Sequence, residues 1–345
     1  MKKKLIILLA LVLIVSASLI GCKKADAPAS GTDVAGGTKV GLVLAGGLGD
    51  RSFYDSSNEG VEQAKKDFGI DYKVYECKND ATIFNEQLVQ ASQYGSIVAV
   101  VGFEFYDVVQ VVAKEFPDVS YIYVDNEIEG IDNLITVSYA ENEGAFLAGA
   151  LAAMITTETS IEGIDEGKRI GMVGGMDLPV IRNFEAGYEA GAKYIDPEVE
   201  VETIFAEDFE DPAKGKESAT ALYSRGADII FQVAGKTGEG VFEAAKELGK
   251  YAIGVDTDQR HINPDAIAAS MVKKVGKSIY ETIENIENDK IEKGKVVYYG
   301  LSQDGVGMGY GADDMTQLVT EDMKAKIEDI KAKIISGEIE VPAGK

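Results

Sequence analysis

Apolar residues along this chain fall into two kinds of block. One is single: residues 5–19, LIILLALVLIVSASL, are uncharged and mostly apolar behind a Met1-Lys2-Lys3-Lys4 head. The other recurs, as short apolar runs from Lys39 onward alternate with longer segments of helical periodicity. The spacing predicts strands at 39–45, 71–76, 97–102, 119–124 and 134–137. Helices are predicted between them at 56–68, 82–94 and 105–115, with another at 141–156. A second series predicts strands at 169–174, 199–204, 228–232 and 251–255, and helices at 180–194, 213–224 and 238–249. Such alternation argues for parallel sheets with helical crossovers. The two series start alike. Val40-Gly41-Leu42-Val43 leads through Gly46-Gly47 to a helix with Glu59-Gly60, and Ile170-Gly171-Met172-Val173 through Gly174-Gly175 to one with Glu185-Ala186-Gly187. This reads as one Rossmann-like unit per lobe, with the cleft between facing strand ends as the expected ligand site. Near the C-terminus, Met323, Ile327, Ile330 and Ile334 recur at helical spacing, predicting a helix packed along a lobe.

The N-terminal block changes the setting. A basic head, a short apolar core and small residues before a cut form a secretory signal pattern. Leu19-Ile20-Gly21-Cys22 closes it and resembles a bacterial lipoprotein lipobox. That resemblance implies a signal peptide at 1–21 and diacylation of Cys22, which becomes the first mature residue on the outer face of the cell membrane. The apolar core is near the lower limit for a spanning helix. Residues 23–38, KKADAPASGTDVAGGT, lack apolar periodicity and read, with Cys22, as a flexible tether. Removing 1–21 takes three of the 34 basic residues and no acid, leaving 31 against 58 acidic, a net charge of −27. Such a surface repels nucleic acid and anionic headgroups, so attachment must come from the lipid. Two acyl chains hold stably where one does not. With Cys22 acylated, Cys77 has no disulfide partner.

Catalytic chemistry finds little support. The turn Ala45-Gly46-Gly47-Leu48-Gly49-Asp50 does not fit G-x-G-x-x-G, and no phosphate-binding P-loop occurs. His261 is the only histidine and sits in a polar loop. No G-x-S-x-G, H-x-x-x-H or cysteine pair is present, so a nucleophile elbow or zinc site is not expected. Asp256 and Asp258 read as hydrogen-bonding residues rather than metal ligands, and Cys77 as a small buried apolar residue. Glu127 and Glu129 read as a solvated loop. No cofactor is implied.

A series of motifs is more specific. Gly46-Gly47 followed by Asp50-Arg51-Ser52-Phe53 and Gly60 is joined in order by VGFEFYDVVQVVAKEFPDVSYIYVD (101–125), ENEGAFLAGALAA (141–153) and VGGMDLPVIRNFEAGYEAG (173–191). VAGKTGEGVFEAAKE (233–247), IGVDTDQ (253–259), ASMVKK (269–274) and GLSQDGVGM (300–308) follow. The chain resembles the basic membrane protein family, substrate-binding lipoproteins of ABC transporters that include bacterial purine nucleoside receptors. The resemblance implies an α/β type I periplasmic-binding-protein fold, two Rossmann-like lobes joined by a three-stranded hinge. Crossings are expected near 139–141, 270–273 and 296–299. Lobe one is then 39–139 plus 273–293, lobe two 140–270 plus 297–315, and 316–345 a C-terminal helix and tail.

By the same resemblance a base stacks on Phe53, with Phe184 as a second aromatic, while Asp256 and Lys273 hold ribose hydroxyls. Asp125 and Gly235 are implied at the cleft. These types suit a flat heterocycle with a diol, because rings gain area and stacking and a carboxylate accepts from vicinal hydroxyls. Two positions depart from the family pattern. Leu44 stands where an Asp is common and Tyr54 where an Asn is common. Both are expected to face the ligand, making the base side more aromatic and less polar. This leaves open a different purine, a free nucleobase or riboflavin. Lys236 and Glu239 also replace commoner small or amide residues. The implied role is a monomeric receptor delivering a nucleoside-like molecule to ABC permease and ATPase subunits. A ligand-sensing module for a signalling receptor is the second class, and an extracellular nucleoside-cleaving enzyme a poorly supported third.

Overall fold

The computed structural model describes residues 37–344. The signal segment, Cys22 and the tether up to residue 36 lie outside the described residues. The first unit runs β1 (Lys39–Leu44), α1 (Phe53–Phe68), β2 (Asp71–Glu76), α2 (Phe84–Tyr94), β3 (Ile97–Val101), α3 (Tyr106–Glu115), β4 (Ser120–Val124) and β5 (Leu134–Tyr139). The second begins with α4 (Glu141–Thr156) and continues β6 (Arg169–Gly174), α5 (Pro179–Ile195), β7 (Glu200–Phe205), α6 (Pro212–Ser224), β8 (Ile229–Val233), α7 (Gly238–Leu248), β9 (Tyr251–Asp256) and β10 (Ile267–Lys273). The chain then returns through α8 (Val275–Glu287), β11 (Val296–Tyr299), β12 (Val306–Gly309) and α9 (Glu321–Ile335).

Two six-stranded sheets result, ordered β11-β5-β4-β3-β1-β2 and β12-β10-β9-β8-β6-β7. Every pairing is parallel except β10 with β12. Helices cover both faces, so the central strands are apolar on both sides. β3, β4 and β8 are buried along their whole length. The sheets share the same order of equivalent strands, which gives the similar starts seen in sequence a structural counterpart.

The expected crossings shift on two counts. β10 stays in the second sheet through Lys273, pairing Val272 with Asp256. β11 pairs with β5 from Val296 opposite Thr136 to Tyr299 opposite Tyr139, so 297–299 belongs to the first sheet, not the second lobe. The physical reason is that β5 would otherwise be a bare edge with unpaired main-chain groups. The last crossing therefore falls at 300–305. The three crossing segments bond to one another: the Ala140 N–H donates to the Tyr299 carbonyl (3.1 Å) and the Lys274 N–H to that of Gly305 (2.8 Å).

Packing within the lobes turns on close backbone approach. α4 is buried continuously from Gly144 to Thr156, as a helix apolar all round must be. It lies against α5 so closely that a Cβ on Gly149 would sit 1.9 Å from the Tyr188 carbonyl oxygen, and one on Gly191 1.9 Å from that of Phe146. α9 buries Ile327, Ile330 and Ile334, with Met323 partly buried, and contacts α4. Arg260 is fully buried. Its guanidinium donates to the carbonyls of Ile267 (2.8 Å), Pro264 (2.8 Å), Tyr310 (2.7 Å) and Thr316, tying the segment after β12 to the second sheet.

A side chain at Gly149 has backbone, not a flexible group, in its way. Gly149→Val is expected to destabilise the fold by about 3 kcal/mol, the upper end of ordinary overpacking. Gly307→Ala, where a Cβ meets nothing within 4 Å, should stay within about 0.5 kcal/mol of the parent. Urea unfolding of both variants checks the pair.

Candidate binding site

The strand ends of both sheets frame a cavity between the lobes, with about 700 Å³ of empty space that includes a part open to solvent. The local backbone explains what reaches it. Asp125 follows β4 with φ +66°, and Asp256 ends β9 with φ +64°. Short polar residues tolerate this left-handed region better than most. Gly102 (φ +125°) after β3 and Gly235 (φ +55°) after β8 make the corresponding sharp turns. Asp50 shapes the loop after β1. Its buried carboxylate accepts from the N–H groups of Ser52 (3.1 Å), Tyr54 (2.9 Å) and Asp55 (3.0 Å), fixing the start of α1 and hence Phe53.

Seven of the eight residues expected at the ligand line this cavity: Phe53, Tyr54, Asp125, Phe184, Gly235, Asp256 and Lys273. Phe53 comes from α1 of the first lobe and Phe184 from α5 of the second. Between the lobes lies the Lys273 ammonium, 5.3 Å from the centre of the Phe53 ring, 5.8 Å from that of Phe184 and 4.7 Å from that of Tyr139. It pairs with Asp125 (2.5 Å) and Glu141 (3.1 Å). The contact with Asp125 is close, yet Oδ1 accepts no aligned hydrogen bond, so the pair is held foremost by charge attraction.

Leu44 does not join them. It is fully buried beside Val40 and Leu42 in the core of the first lobe. The reason is strand alternation: Leu44 still belongs to β1 and shares the inward face of Val40 and Leu42, so it faces that core rather than the cleft. Lys236 does line the cavity, 3.9 Å from Glu210, whereas Glu239 pairs outside it with Arg51 at 3.6 Å. Asp258 is separate from Asp256 in role, accepting from the N–H groups of Arg260 (3.2 Å) and Gly311 (2.6 Å). His261, Glu127 and Glu129 are exposed, and Cys77 is buried.

Sequence reasoning missed Asp50, Phe103, Glu104, Phe209 and Glu210, which share the lining with apolar residues such as Val180 and Ile181. Glu104 was visible only as a polar break in the apolar run VGFEFYD. Phe209 lies in the acidic loop after β7, where no periodicity marks it.

Electrostatically the cleft is crowded with acids. Burial pushes the Asp256 carboxyl up to about 7, although Lys273 and the Ser52 hydroxyl draw it down. Burial likewise raises Asp50 to about 6 against three backbone donors. Glu104 is raised by burial and by Asp125, although its own backbone N–H draws it down, and Glu141 by burial despite Lys273. For Lys273 burial alone would favour the neutral amine, but Asp125, Glu141 and Asp256 outweigh it and hold the ammonium charged. The lobes also touch directly. The Ser52 hydroxyl donates to Asp256 (2.5 Å), and Thr257 (2.9 Å) and Gln259 (3.0 Å) both donate to the Arg51 carbonyl. Aromatic walls, fixed carboxylates and one buried cation can hold a flat polar molecule. Among the described residues, no cluster of His, Cys, Asp and Glu is arranged to hold a metal ion.

Comparison with known proteins follows the same line. The family described as "ABC transporter substrate-binding protein PnrA-like" matches residues 37–345. The ABC transporter nucleoside-binding protein BmpA of Lactococcus lactis subsp. cremoris is 32% identical, covering 99% of this chain and 100% of its own length. Basic membrane protein A of Borreliella burgdorferi is 33% identical over 89% of this chain and 88% of its own. Among solved structures, an ABC transporter solute-binding protein from Aeropyrum pernix K1 superposes with TM-score 0.80 at 27% identity, covering 88% of this chain and 94% of that one. The chain thus belongs to the PnrA-like family of ABC transporter substrate-binding proteins, whose members are receptors and not enzymes.

Proposed function

We propose that this protein is a lipid-anchored, monomeric receptor that captures a purine nucleoside at the cell surface for an ABC importer. The observation that carries the ligand class is the pair of phenylalanines, Phe53 and Phe184, on opposite lobes of one cavity with Lys273 between them. A planar base gains stacking and area from rings of this kind. Asp256 and Lys273 hold the ribose hydroxyls, Asp125 sits beside Lys273, and the Gly235 turn brings main chain up to the ligand. The nucleoside-binding relative in Lactococcus supports the class. Because the rings belong to different lobes, ligand contacts both only when the lobes meet, so binding favours the closed form by hinge motion. Cys22 carries the lipid anchor, and permease and ATPase subunits receive the cargo.

Three measurements test this reading. For the anchor, Cys22→Ser is expected to accumulate as unprocessed precursor without fatty-acid label, while the parent is labelled and membrane-bound. A parent recovered soluble and unlabelled refutes the anchor.

For ligand class, purine nucleosides are expected to raise the melting temperature of residues 23–345. At ~100 times the dissociation constant the stabilisation is roughly 2.7 kcal/mol. Arabinose and amino acids should have no effect. A shift with riboflavin or free base alone replaces the nucleoside reading, and a shift with sugars alone removes both.

For the diol, Asp256→Ala should cost about 1.5–3 kcal/mol for a nucleoside and little for its 2′,3′-dideoxy analogue, on the scale of a charged hydrogen bond. Phe53→Ala should weaken both ligands together. The pH dependence follows from the Asp256 carboxyl near 7. Hydroxyl donors need the carboxylate, and a proton competes below that value, so affinity should fall about tenfold from pH 8 to pH 6. Asp256→Asn should flatten that profile. Calorimetric titration reads all of these. Equal losses for both ligands on Asp256→Ala remove this carboxylate from ribose recognition.

A further inference from the structure

We propose that Glu104 is the residue that selects among heterocycles, favouring a ring edge with two adjacent N–H donors, as in a 6-oxo-2-aminopurine. The proposal rests on the nucleoside reading above. Glu104 follows the sharp Gly102 turn at the end of β3 and enters the cavity beside Phe103 and Tyr54. An added Cβ on Gly102 would lie 2.6 Å from Glu104 Oε2, so the turn is shaped to admit this carboxyl.

Oε2 is buried and accepts no hydrogen bond from the protein. Among the described residues, no lysine or arginine lies within ion-pair distance of Glu104. The cations of the cavity are engaged elsewhere: Lys273 with Asp125 and Glu141, Lys236 near Glu210. The phenol of neighbouring Tyr123 donates to the Phe103 carbonyl (3.1 Å) rather than to Glu104. Leu44, packed into the core, brings no polar atom. A buried carboxylate oxygen without a donor costs free energy. A protein keeps such an oxygen at a cavity wall at a cost that a ligand can relieve.

The chemistry of the missing partner follows. An ionised carboxylate accepts only, through two oxygens side by side. The matching group has two parallel N–H bonds, and such charge-assisted pairs are strong and directional. The N1–H and 2-amino group of guanine form that pair. Hypoxanthine offers N1–H alone. The flavin ring offers one N–H flanked by two carbonyl oxygens, which a carboxylate repels. Adenine places an acceptor beside its amino group. The acidic lining also disfavours anionic rings and phosphate esters. Among neutral heterocycles, Glu104 therefore ranks ligands by their donor count on one edge.

The test is calorimetric titration of the 23–345 protein and its Glu104→Gln variant with guanosine, inosine, adenosine and riboflavin at pH 7.5. The parent is expected to bind guanosine at least about tenfold more tightly than inosine, the gain of a charged hydrogen bond. In Glu104→Gln the ratio should collapse to about twofold or less. The variant removes a buried unpaired charge, so its melting temperature without ligand should equal or exceed the parent's, which checks that it folds. If nucleosides bind but the guanosine-to-inosine ratio is the same in both proteins, Glu104 does not read the ring, and the nucleoside reading stands. Adenosine binding most tightly also overturns the proposal. If no nucleoside binds the parent while riboflavin does, the nucleoside reading itself falls and takes this one with it.

Discussion

One buried ammonium group organises this molecule. Lys273 closes β10 of the second sheet, at the point where the chain crosses to the first lobe. Its partners come from two other elements beside the crossings: Asp125 after β4 of the first lobe, and Glu141 opening α4 of the second. A lone buried charge is costly, and the attraction among groups in such a cluster repays that cost only when the geometry is held. Here the packing of both lobes holds it. The same cation lies among the rings of Phe53, Tyr139 and Phe184, so hinge, charge balance and aromatic walls share one centre. Any molecule entering the cavity meets a field already set by this cluster.

The two sheets repeat one design with a difference at the hinge. Asp125 and Asp256 end equivalent strands with nearly equal φ, +66° and +64°, and Gly102 and Gly235 make equivalent turns. Each lobe therefore offers the cleft a carboxylate and a sharp turn. The symmetry breaks where β5 ends in Tyr139 and β10 ends in Lys273, and where β11 joins its sheet parallel while β12 joins antiparallel. One ring and one cation at matching positions put the ammonium 4.7 Å from the tyrosine ring. A duplicated scaffold thus carries an asymmetric site.

Much of this was readable from sequence because both series consist of apolar strand runs and amphipathic helices in strict alternation. β1, β3, β4 and β8 are nearly or wholly buried, so their apolar runs stand out. The apolar spacing does not mark β11 and β12 as strands, and the resemblance implies 296–299 only as a hinge crossing: Val296–Tyr299 is half exposed, and Val306–Gly309 is short and glycine-rich. Their pairing depends on partners distant in sequence. In the cavity, Phe53, Phe184, Asp125 and Asp256 were legible through the family motifs. Leu44 was misread because a position near a glycine turn still obeyed the alternation of β1. Glu104 was overlooked for a related reason. One polar residue between Phe103 and Phe105 resembles ordinary surface, and only the turn at Gly102 sends it inward.

Cys77 carries a further consequence. It is the one cysteine among the described residues, and burial, with Glu104 and Asp80 nearby, pushes its thiol up to about 12. At neutral pH it is almost wholly the unreactive thiol. The chain also contains no tryptophan. In residues 23–345, which lack Cys22, a cysteine substituted at exposed Tyr106 on α3 or Tyr194 on α5 would thus be the one thiol to take a maleimide dye, with no tryptophan emission behind it. Such a dye would report optically on the proposed lobe closure, because the buried native thiol is chemically silent.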